Sequence, residues 1–340
     1  MKKSLLALAV LGVFAGAASA QSSVTIYGVM DLGLVKGNGG SATNINGNGA
    51  SKAWLERART NSRLGFKGTE DLGNGLSAEF LIEHRLNPDT GDVGTGAAAT
   101  TVFWFGRSYV QLGSATMGKI YLGRDYSPAY WTAFNTDPSG WDGVGSLKTN
   151  QYAGFLATNG QGPQNRTDNT VGYRSPSFNG FTVDAAVSLG EGSTTVVAGV
   201  TPGRDSAINA QYKAGPIYGA VAYEKIKGGT LDGNSLFNIG GSYDFGVVKP
   251  MLYYARAKVA TLTNKSFSIA AAAPLGQGEA YVAYGRFDPS GANNNQTKIG
   301  LGYKHPLSKR TNLYADVGQG KQDGGATNNT AYDFGVKHTF

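Results

Sequence analysis

The chain has 340 residues, no cysteine, 51 glycines and 11% aromatic residues. The lack of cysteine excludes disulfides, thiolate metal sites and cysteine nucleophiles, and the aromatic content is too high for a disordered chain. The 30 basic and 23 acidic residues give a formal charge of +7, which favours anionic partners. The charges are scattered, so no basic run predicts binding to nucleic acid.

The first twenty residues, MKKSLLALAVLGVFAGAASA, predict a signal peptide. Two lysines precede a short apolar run, and the small residues at 18–20 form a cleavage site. A membrane-spanning helix is the alternative, but the apolar run is short and ends in small residues. The sequence therefore predicts a cleaved segment at 1–20 and an exported domain at 21–340.

Alternating apolar and polar residues dominate the exported part. In FTVDAAVSL, residues 181–189, Phe181 and Val183 fall on one face and Asp184 on the other. A period of two indicates half-buried β-strands. We predict sixteen strands, at 23–35, 59–70, 76–86, 102–113, 118–124, 167–177, 181–189, 206–214, 217–226, 235–245, 248–260, 265–274, 279–287, 296–305, 311–320 and 330–340.

The predicted connections alternate between short turns and long loops. Residues 71–75 and 306–310 are predicted short turns, whereas 36–58 and 125–166 are predicted long loops. Residues 261–264 are also predicted as a loop at the long-loop end of the barrel. An even number of strands joined in this way is typical of an outer-membrane barrel. The predicted fold is all-β: a transmembrane, antiparallel, 16-stranded up-and-down β-barrel.

One face of these strands carries many charges. A packed core cannot hold them, because each buried charge needs a partner or costs several kcal/mol. This argues against the alternatives, a soluble β-sandwich or soluble barrel, and favours a water-filled lumen with the apolar face towards lipid. The predicted lumen charges are Asp31, Arg63, Lys67, Glu79, Glu83, Arg107, Asp184, Lys213, Glu224, Asp244, Arg256, Arg286, Lys298, Lys304, Asp316, Asp333 and Lys337.

Catalytic motifs are not found in the sequence. The three histidines are His84, His305 and His338, and neither HExxH nor GxSxG occurs. Only His84 is near the polar region, so an outer-membrane enzyme using a Ser–His84 pair is an alternative with little support. No catalytic residue, cofactor or metal site is predicted.

The longest loop, 125–166, contains aromatic residues that could pack against the barrel wall. We expect this third long loop to fold inwards and narrow the bore, with Asp125, Asp137 and Asp142 as its acidic side chains. Basic residues on nearby strands would stand opposite and favour anions. The basic residues on these strands are Arg59, Arg63, Lys67, Arg107, Arg124, Arg166 and Arg174. For each arginine, the alternative is a purely structural pair with a wall carboxylate such as Glu83.

The sequence resembles the trimeric general-diffusion porins of Gram-negative outer membranes, in the β-proteobacterial branch. The segments that carry the resemblance are SSVTIYGVMDLGL at 22–34, SRLGFKGTEDLGNGLSAEFLIE at 62–83, GRSYVQLGSATMGKIYLGRDYSP at 106–128, TVGYRSPSFNGF at 170–181 and YDFGVKHTF at 332–340. The resemblance implies a homotrimer with one pore per subunit, a constriction formed by the third loop, and a basic wall cluster. It carries this cluster over to Arg63, Arg107, Arg124 and Arg166, with Arg59 as a further candidate. It also implies that the barrel-assembly machinery recognises the final strand, with Phe340 as the signal.

We therefore expect an outer-membrane channel for passive diffusion of small hydrophilic solutes, with a preference for anions. Its expected partners are two further copies of the chain, outer-membrane lipid and lipopolysaccharide, and small anionic or neutral solutes. The alternative within the same fold is a substrate-specific channel, in which Tyr130 and Trp131 would form a track.

Overall fold

The computed structural model describes residues 23–42, 51–93, 103–152, 155, 165–190, 203–229, 231–291 and 294–340. The predicted signal peptide, residues 1–20, lies outside these ranges.

Nearly all regular structure in the described ranges is β-strand. The elements are β1 (Ser23–Gly37), β2 (Leu55–Arg57), β3 (Ser62–Gly73), β4 (Leu76–Leu86), β5 (Ser108–Ser114), β6 (Gly118–Tyr126), α1 (Tyr130–Phe134), α2 (Lys148–Gln151), β7 (Arg166–Arg174), β8 (Phe181–Ser188), β9 (Arg204–Ala214), β10 (Ile217–Lys227), β11 (Ser235–Tyr243), β12 (Lys249–Val259), β13 (Leu262–Leu275), β14 (Gly278–Asp288), β15 (Gln296–Pro306), β16 (Thr311–Gln322) and β17 (Asn329–Thr339).

The strands form one closed antiparallel sheet. From β3 to β17 each strand pairs with the next in the chain, and β17 pairs with β1 over residues 331–339 and 29–37. Both β2 and β3 pair with β1, so they are two segments of one barrel strand. Seventeen segments thus make sixteen barrel strands, which confirms the predicted fold. Among the described strands, closure leaves no unpaired sheet edge.

Most predicted strand positions are confirmed to within about three residues. The start at 102 is wrong, because β5 begins at Ser108, and only isolated bonds tie Gly106 and Arg107 to Glu83 of β4. The loop at 261–264 is also wrong. β12 and β13 meet in a tight turn, with Ala260 at φ 53°. Thr261–Asn264 looked polar enough for a loop, but Asn264 is an inward-facing strand residue.

The apolar face points outwards, as predicted. On β12, Leu252 and Tyr254 are exposed, whereas Tyr253 and Ala255 are buried on the lumen side. Inward charges include Asp31 and Lys298, both buried. In lipid this arrangement is favourable, because every ladder hydrogen bond is made within the sheet and the outer band is apolar.

Two predicted lumen charges are wrong. Arg256 shares the outward parity of Leu252 and Tyr254, and Arg286 shares that of Val282. Both lie at the loop ends of their strands, beyond the apolar band. At that height an outward side chain no longer contacts hydrocarbon, so its charge does not indicate which face it occupies.

The long connection after β6 folds into the barrel and packs against the wall. Tyr130 and Phe155 are buried against alanines of β10 and β12, and Leu147 is buried against β12–β14. Glycines on the wall make room for the loop backbone. A Cβ at Gly318 would lie 2.0 Å from the Val144 carbonyl oxygen, and one at Gly300 would lie 1.9 Å from that of Gly145. The inward-folded third loop is therefore confirmed.

Hydrogen bonds from the wall fix the loop in this position. Asn238 Nδ2 donates to the Ala129 carbonyl at 3.0 Å, and Tyr253 Oη donates to the Gln151 carbonyl at 3.0 Å. On the other side Lys304 Nζ donates to the Pro138 carbonyl at 2.8 Å. These contacts satisfy loop carbonyls that would otherwise be buried without partners.

Candidate functional site: a basic passage beside the third loop

The inward loop leaves an open passage of about 730 Å³ on one side of the barrel. Its lining includes the segments around β2–β4, parts of the third loop such as residues 139–144, and the wall residues Lys304, Asp333 and Lys337. The loop covers β10–β14 on the other side. A solute crossing the barrel would pass between the loop and the arginine-bearing wall.

Basic side chains outnumber acidic ones in the lining of this passage. The acidic members are Glu83, Asp89, Asp142 and Asp333. The basic members are Arg57, Arg59, Arg63, Arg85, Arg107, Lys148, Arg166, Lys304 and Lys337. Since arginine stays charged at any relevant pH, the excess gives the passage a positive field.

Arg59 is positioned by the interruption between β2 and β3. There the ladder to β1 is replaced by side-chain bonds: the Arg59 N–H donates to Asp31 Oδ1 at 2.8 Å, and the Asp31 N–H donates to Ser62 Oγ at 3.0 Å. The Arg59 guanidinium pairs with Asp316 and lies 4.0 Å from Asp142 of the loop. Its side chain is almost fully buried, so Arg59 braces loop to wall at the edge of the passage.

Arg63 is the most open of the predicted arginines, with 24% of its side chain exposed. Its Nη1 lies 3.9 Å from Glu83 Oε2. Glu83 also pairs with Arg85 at 2.6 Å, so one carboxylate serves two guanidinium groups. The pair of arginines therefore keeps a net positive charge.

Arg107 is held by a two-pronged ion pair. Its Nε and Nη2 donate to the two carboxylate oxygens of Asp125 at 2.6 and 2.8 Å. Asp125 also bonds Arg174 and is buried. Parallel N–H···O bonds of this kind are strong and fix the orientation of the guanidinium. Arg107 is thus presented to the passage in a fixed position, with Asp125 behind it.

Tyr126 organises the basic cluster. The Arg166 guanidinium carbon lies 4.1 Å from the Tyr126 ring centroid, and that of Arg107 lies 5.7 Å from it. The Tyr126 hydroxyl accepts from Arg166 at 2.5 Å and from Arg85 at 3.3 Å. A ring face and a phenol oxygen hold these cations without neutralising them. Within the described part of the chain, Arg166 has no carboxylate partner.

Arg124 lies apart from the passage. On β6 it shares the outward parity of Leu122, and its guanidinium bonds Asp168 and the Phe105 carbonyl. Because successive side chains of a strand point to opposite faces, the two consecutive residues Arg124 and Asp125 lie in different surroundings. The contacts of Arg124 match the structural alternative, a brace for the segment before β5.

The three predicted acidic residues occupy different places. Asp125 lies behind Arg107, as described. Asp137 is buried within the loop, where it accepts from the Ser139 N–H at 2.9 Å and the Leu147 N–H at 2.8 Å. Burial raises the pKa of the Asp137 carboxyl above its ordinary value. Among the three, Asp142 alone lines the passage, 3.6 Å from Lys337 Nζ.

Sequence reasoning missed Arg85, Lys148 and the central role of Tyr126. Arg85 lies on the inward parity of β4 together with Glu83, a signal that was available. The part played by Tyr126 depends on the way β6 turns into the loop, which no local pattern reports. Lys304, Asp333 and Lys337 were placed in the lumen, but their approach to the loop depends on the barrel register.

Comparisons with known proteins agree with this architecture. The sequence matches the Gram-negative porin family over residues 7–325. The chain belongs to the Gram-negative porin family. Over the whole of both chains it is 30% identical to an outer membrane porin of Bordetella pertussis. It is 33% identical to outer membrane porin protein 32 of Delftia acidovorans, over 93% of this chain and 89% of the relative.

A solved porin structure shows the same fold. An anion-selective porin from Comamonas acidovorans superposes with a TM-score of 0.78 and 27% sequence identity, over 94% of this chain and 100% of that one. The protein is thus an outer-membrane porin, and its barrel is the channel wall. Porins are channels rather than enzymes. In the described residues no helix is long and apolar enough to cross a membrane, and no three His, Asp or Glu side chains cluster in a way that could hold a metal ion.

Proposed function

We propose that this porin passes small hydrophilic solutes passively and prefers anions. The observation that carries the proposal is the imbalance of charge in the passage, nine basic lining residues against four acidic ones. The anion-selective porin from Comamonas acidovorans, which has the same fold, supports it. Size exclusion by the loop and attraction by the wall would act together.

The arginines would attract anions without trapping them. Each guanidinium already has a partner such as Asp125, Glu83 or Tyr126. An entering anion therefore replaces only water around the guanidinium and is bound weakly. In a wet passage the attraction is screened to about 1–4 kcal/mol at contact distance. Weak, repeated contacts favour entry and still allow release.

Four of the predicted arginines would act at this constriction. Arg63, Arg107 and Arg166 would supply the positive side, Arg59 would hold the loop, and Asp142 would face them from the loop. Support comes from the lining of the passage, which includes all five residues. We assign Arg124 a bracing role because of its contact with Asp168.

We further propose a homotrimer in the outer membrane, exported with a cleaved signal peptide at 1–20 and in contact with lipopolysaccharide. The supporting observations are the family membership and the exposed apolar band on the outer wall. The solutes would be small anions and neutral molecules. No catalytic residue or cofactor is proposed.

A substrate-specific channel is the second candidate, because aromatic side chains also line the passage. Tyr126, Tyr130, Trp131 and Trp141 lie there, and the first two rings stack with centroids 4.1 Å apart. Such a series of rings could guide an apolar or sugar face.

Measurements of solute flux into liposomes distinguish the general pore from the substrate-specific channel. A general pore predicts flux that grows linearly with concentration and falls with solute size, and faster entry of an anion than of a neutral solute of equal size. Saturable flux of one solute, lost in Trp131→Ala, would favour the specific channel and contradict the proposal.

A further inference from the structure

The outer wall carries a group of cations at the loop ends of β9–β13. Its members, here called the outer cationic patch, are Arg204, Lys225, Lys227, Arg256, Lys258 and Lys265, and all six are exposed. On β10 and β12 they share the strand parity of the outward apolar residues, such as Tyr223 and Leu252, so they face the surroundings of the barrel and not its lumen. The passage does not use them.

Like charges stand directly opposite each other within this patch. Arg256 is the cross-strand partner of Lys265, and Lys227 is that of Arg204. Adjacent like charges destabilise a sheet unless an anion lies between them. None of the six has a carboxylate within salt-bridge distance in the described ranges. The cross-strand neighbour of Lys265 on β14 is Asp288, which is paired with Arg286 at 2.6 Å.

The height of the patch on the wall indicates what that anion is. The next outward pair below Arg256 and Lys265 is Tyr254 and Phe267, both exposed. Aromatic rings in this position mark the boundary between hydrocarbon and headgroups in barrels. The cations of the patch therefore lie at the level of the lipid headgroups, at the end of the barrel that carries the long loops.

An apolar groove adjoins the patch. It has a volume of about 560 Å³, and its lining includes Val171, Val187, Ile208 and Tyr223, with Lys225 among them. Small side chains at Ala185 and Ser206 open it. An acyl chain would bury apolar surface in a lipid-facing groove of this kind, whereas a soluble anion has no apolar surface to bury there.

We propose that the outer cationic patch binds the phosphates of an acylated, phosphorylated lipid of the outer leaflet, with an acyl chain in the adjoining groove. The inference deepens the proposed contact with lipopolysaccharide, on which it rests, by assigning it to one face of the barrel. Arg256 and Lys265 hold a phosphate between them, which removes their mutual repulsion.

Binding of fluorescent phosphorylated lipid A to the detergent-solubilised protein tests the proposal. Arg256→Gln/Lys265→Gln should weaken binding roughly 30-fold. The neighbouring Lys225→Gln/Lys258→Gln variant should weaken it too. Lys309→Gln/Arg310→Gln makes the same charge change in an exposed turn at the other rim and should leave binding unchanged. Lipid A stripped of its phosphates should bind weakly to the native protein and to all variants alike.

Three outcomes would overturn the proposal. The first is native-like lipid A binding by both patch variants, and the second is an equal loss of lipid A binding in the control variant. The third is a changed oligomer mass in the patch variants without loss of lipid A binding, which would make the patch a contact between subunits. Ion conductance in bilayers without lipid A separates this from the proposed function. The patch variants should conduct like the native channel. A native protein that binds lipid A but conducts no ions would contradict the proposed channel function and not the proposed lipid site.

Discussion

The backbone N–H of Val144 donates a 2.9 Å hydrogen bond to Oδ2 of Asp333, joining the inward loop to the last strand across 189 residues of sequence. This bond fixes the loop at the side of the passage where Asp142 and Lys337 face each other. The width of the passage depends on such contacts, because the loop has no regular structure between α1 and α2 to hold it.

Asp333→Ala should therefore loosen the loop. Loss of a hydrogen bond to a carboxylate costs about 1.5–3 kcal/mol, and single-channel recordings should show increased noise in the open-channel current. Asp333→Asn is the matched control. It removes the charge but keeps a carbonyl oxygen that accepts from Val144, so its current should stay quieter than that of Asp333→Ala. Equal noise in both variants would show that the effect comes from the lost charge, and it would contradict a role for the hydrogen bond from Val144.

Gly318→Ala should displace the loop. The added methyl would lie 2.0 Å from the Val144 carbonyl oxygen, whereas a methyl at Gly219 on β10 meets no atom within 4 Å. We expect a changed single-channel conductance in Gly318→Ala and a native value in Gly219→Ala. If both variants conduct like the native protein, the loop does not rest on this part of the wall.

An outward charge in the apolar band should destabilise the barrel. Leu313 is 42% exposed on the outer face of β16, close to the short-turn end of that strand. An outward arginine costs about 2–4 kcal/mol at the midplane and less towards the interfaces, so the cost at Leu313 should fall below that figure. Leu313→Arg should lower the free energy of unfolding in lipid vesicles, measured with urea. Leu307→Arg, in the exposed turn before β16, is the control and should change it little. A native free energy of unfolding in Leu313→Arg would place β16 away from lipid.

Phe340 should matter for barrel assembly. Its backbone exchanges two hydrogen bonds with Gly28, at 3.0 and 3.1 Å, and its ring lies where a side chain at Gly28 would be. Phe340→Asp should reduce the amount of folded protein in the outer membrane, measured by heat-modifiable mobility on gels. Phe245→Asp, at a more exposed aromatic residue in a turn, should assemble normally. Native yield of Phe340→Asp would refute the predicted assembly signal.

Much of the wall could be predicted from local pattern. The pattern predicts β4 at 76–86, where the structure has it, because alternation and a tight Gly-containing turn both act over a few residues. The pattern predicts the start of β5 six residues too early. Residues 103–107 precede β5 without belonging to its ladder, and the bonds of Gly106 and Arg107 go to Glu83, a residue distant in sequence that no local pattern identifies.

The passage was harder to predict, because it depends on the register between strands. Arg63 and Arg107 were correctly expected on the lumen side, but their partners Glu83 and Asp125 follow from cross-strand pairing. Asp125 and Asp137 looked like a loop's acidic face, yet one lies behind Arg107 and the other inside the loop. Spacing along one strand cannot show which carboxylate neutralises which arginine.

The most direct test of the charge argument is the reversal potential in a KCl gradient, for the native channel and for Arg63→Gln. Arg63 is suited to this, since it is partly open and its removal leaves Glu83 paired with Arg85. Arg256→Gln is the matched control, with the same loss of charge on the outer wall. We predict an anion-selective native channel, a shift towards cations in Arg63→Gln, and no shift in Arg256→Gln. A cation-selective native channel, or an unchanged potential in Arg63→Gln, would contradict the basic passage as the source of selectivity.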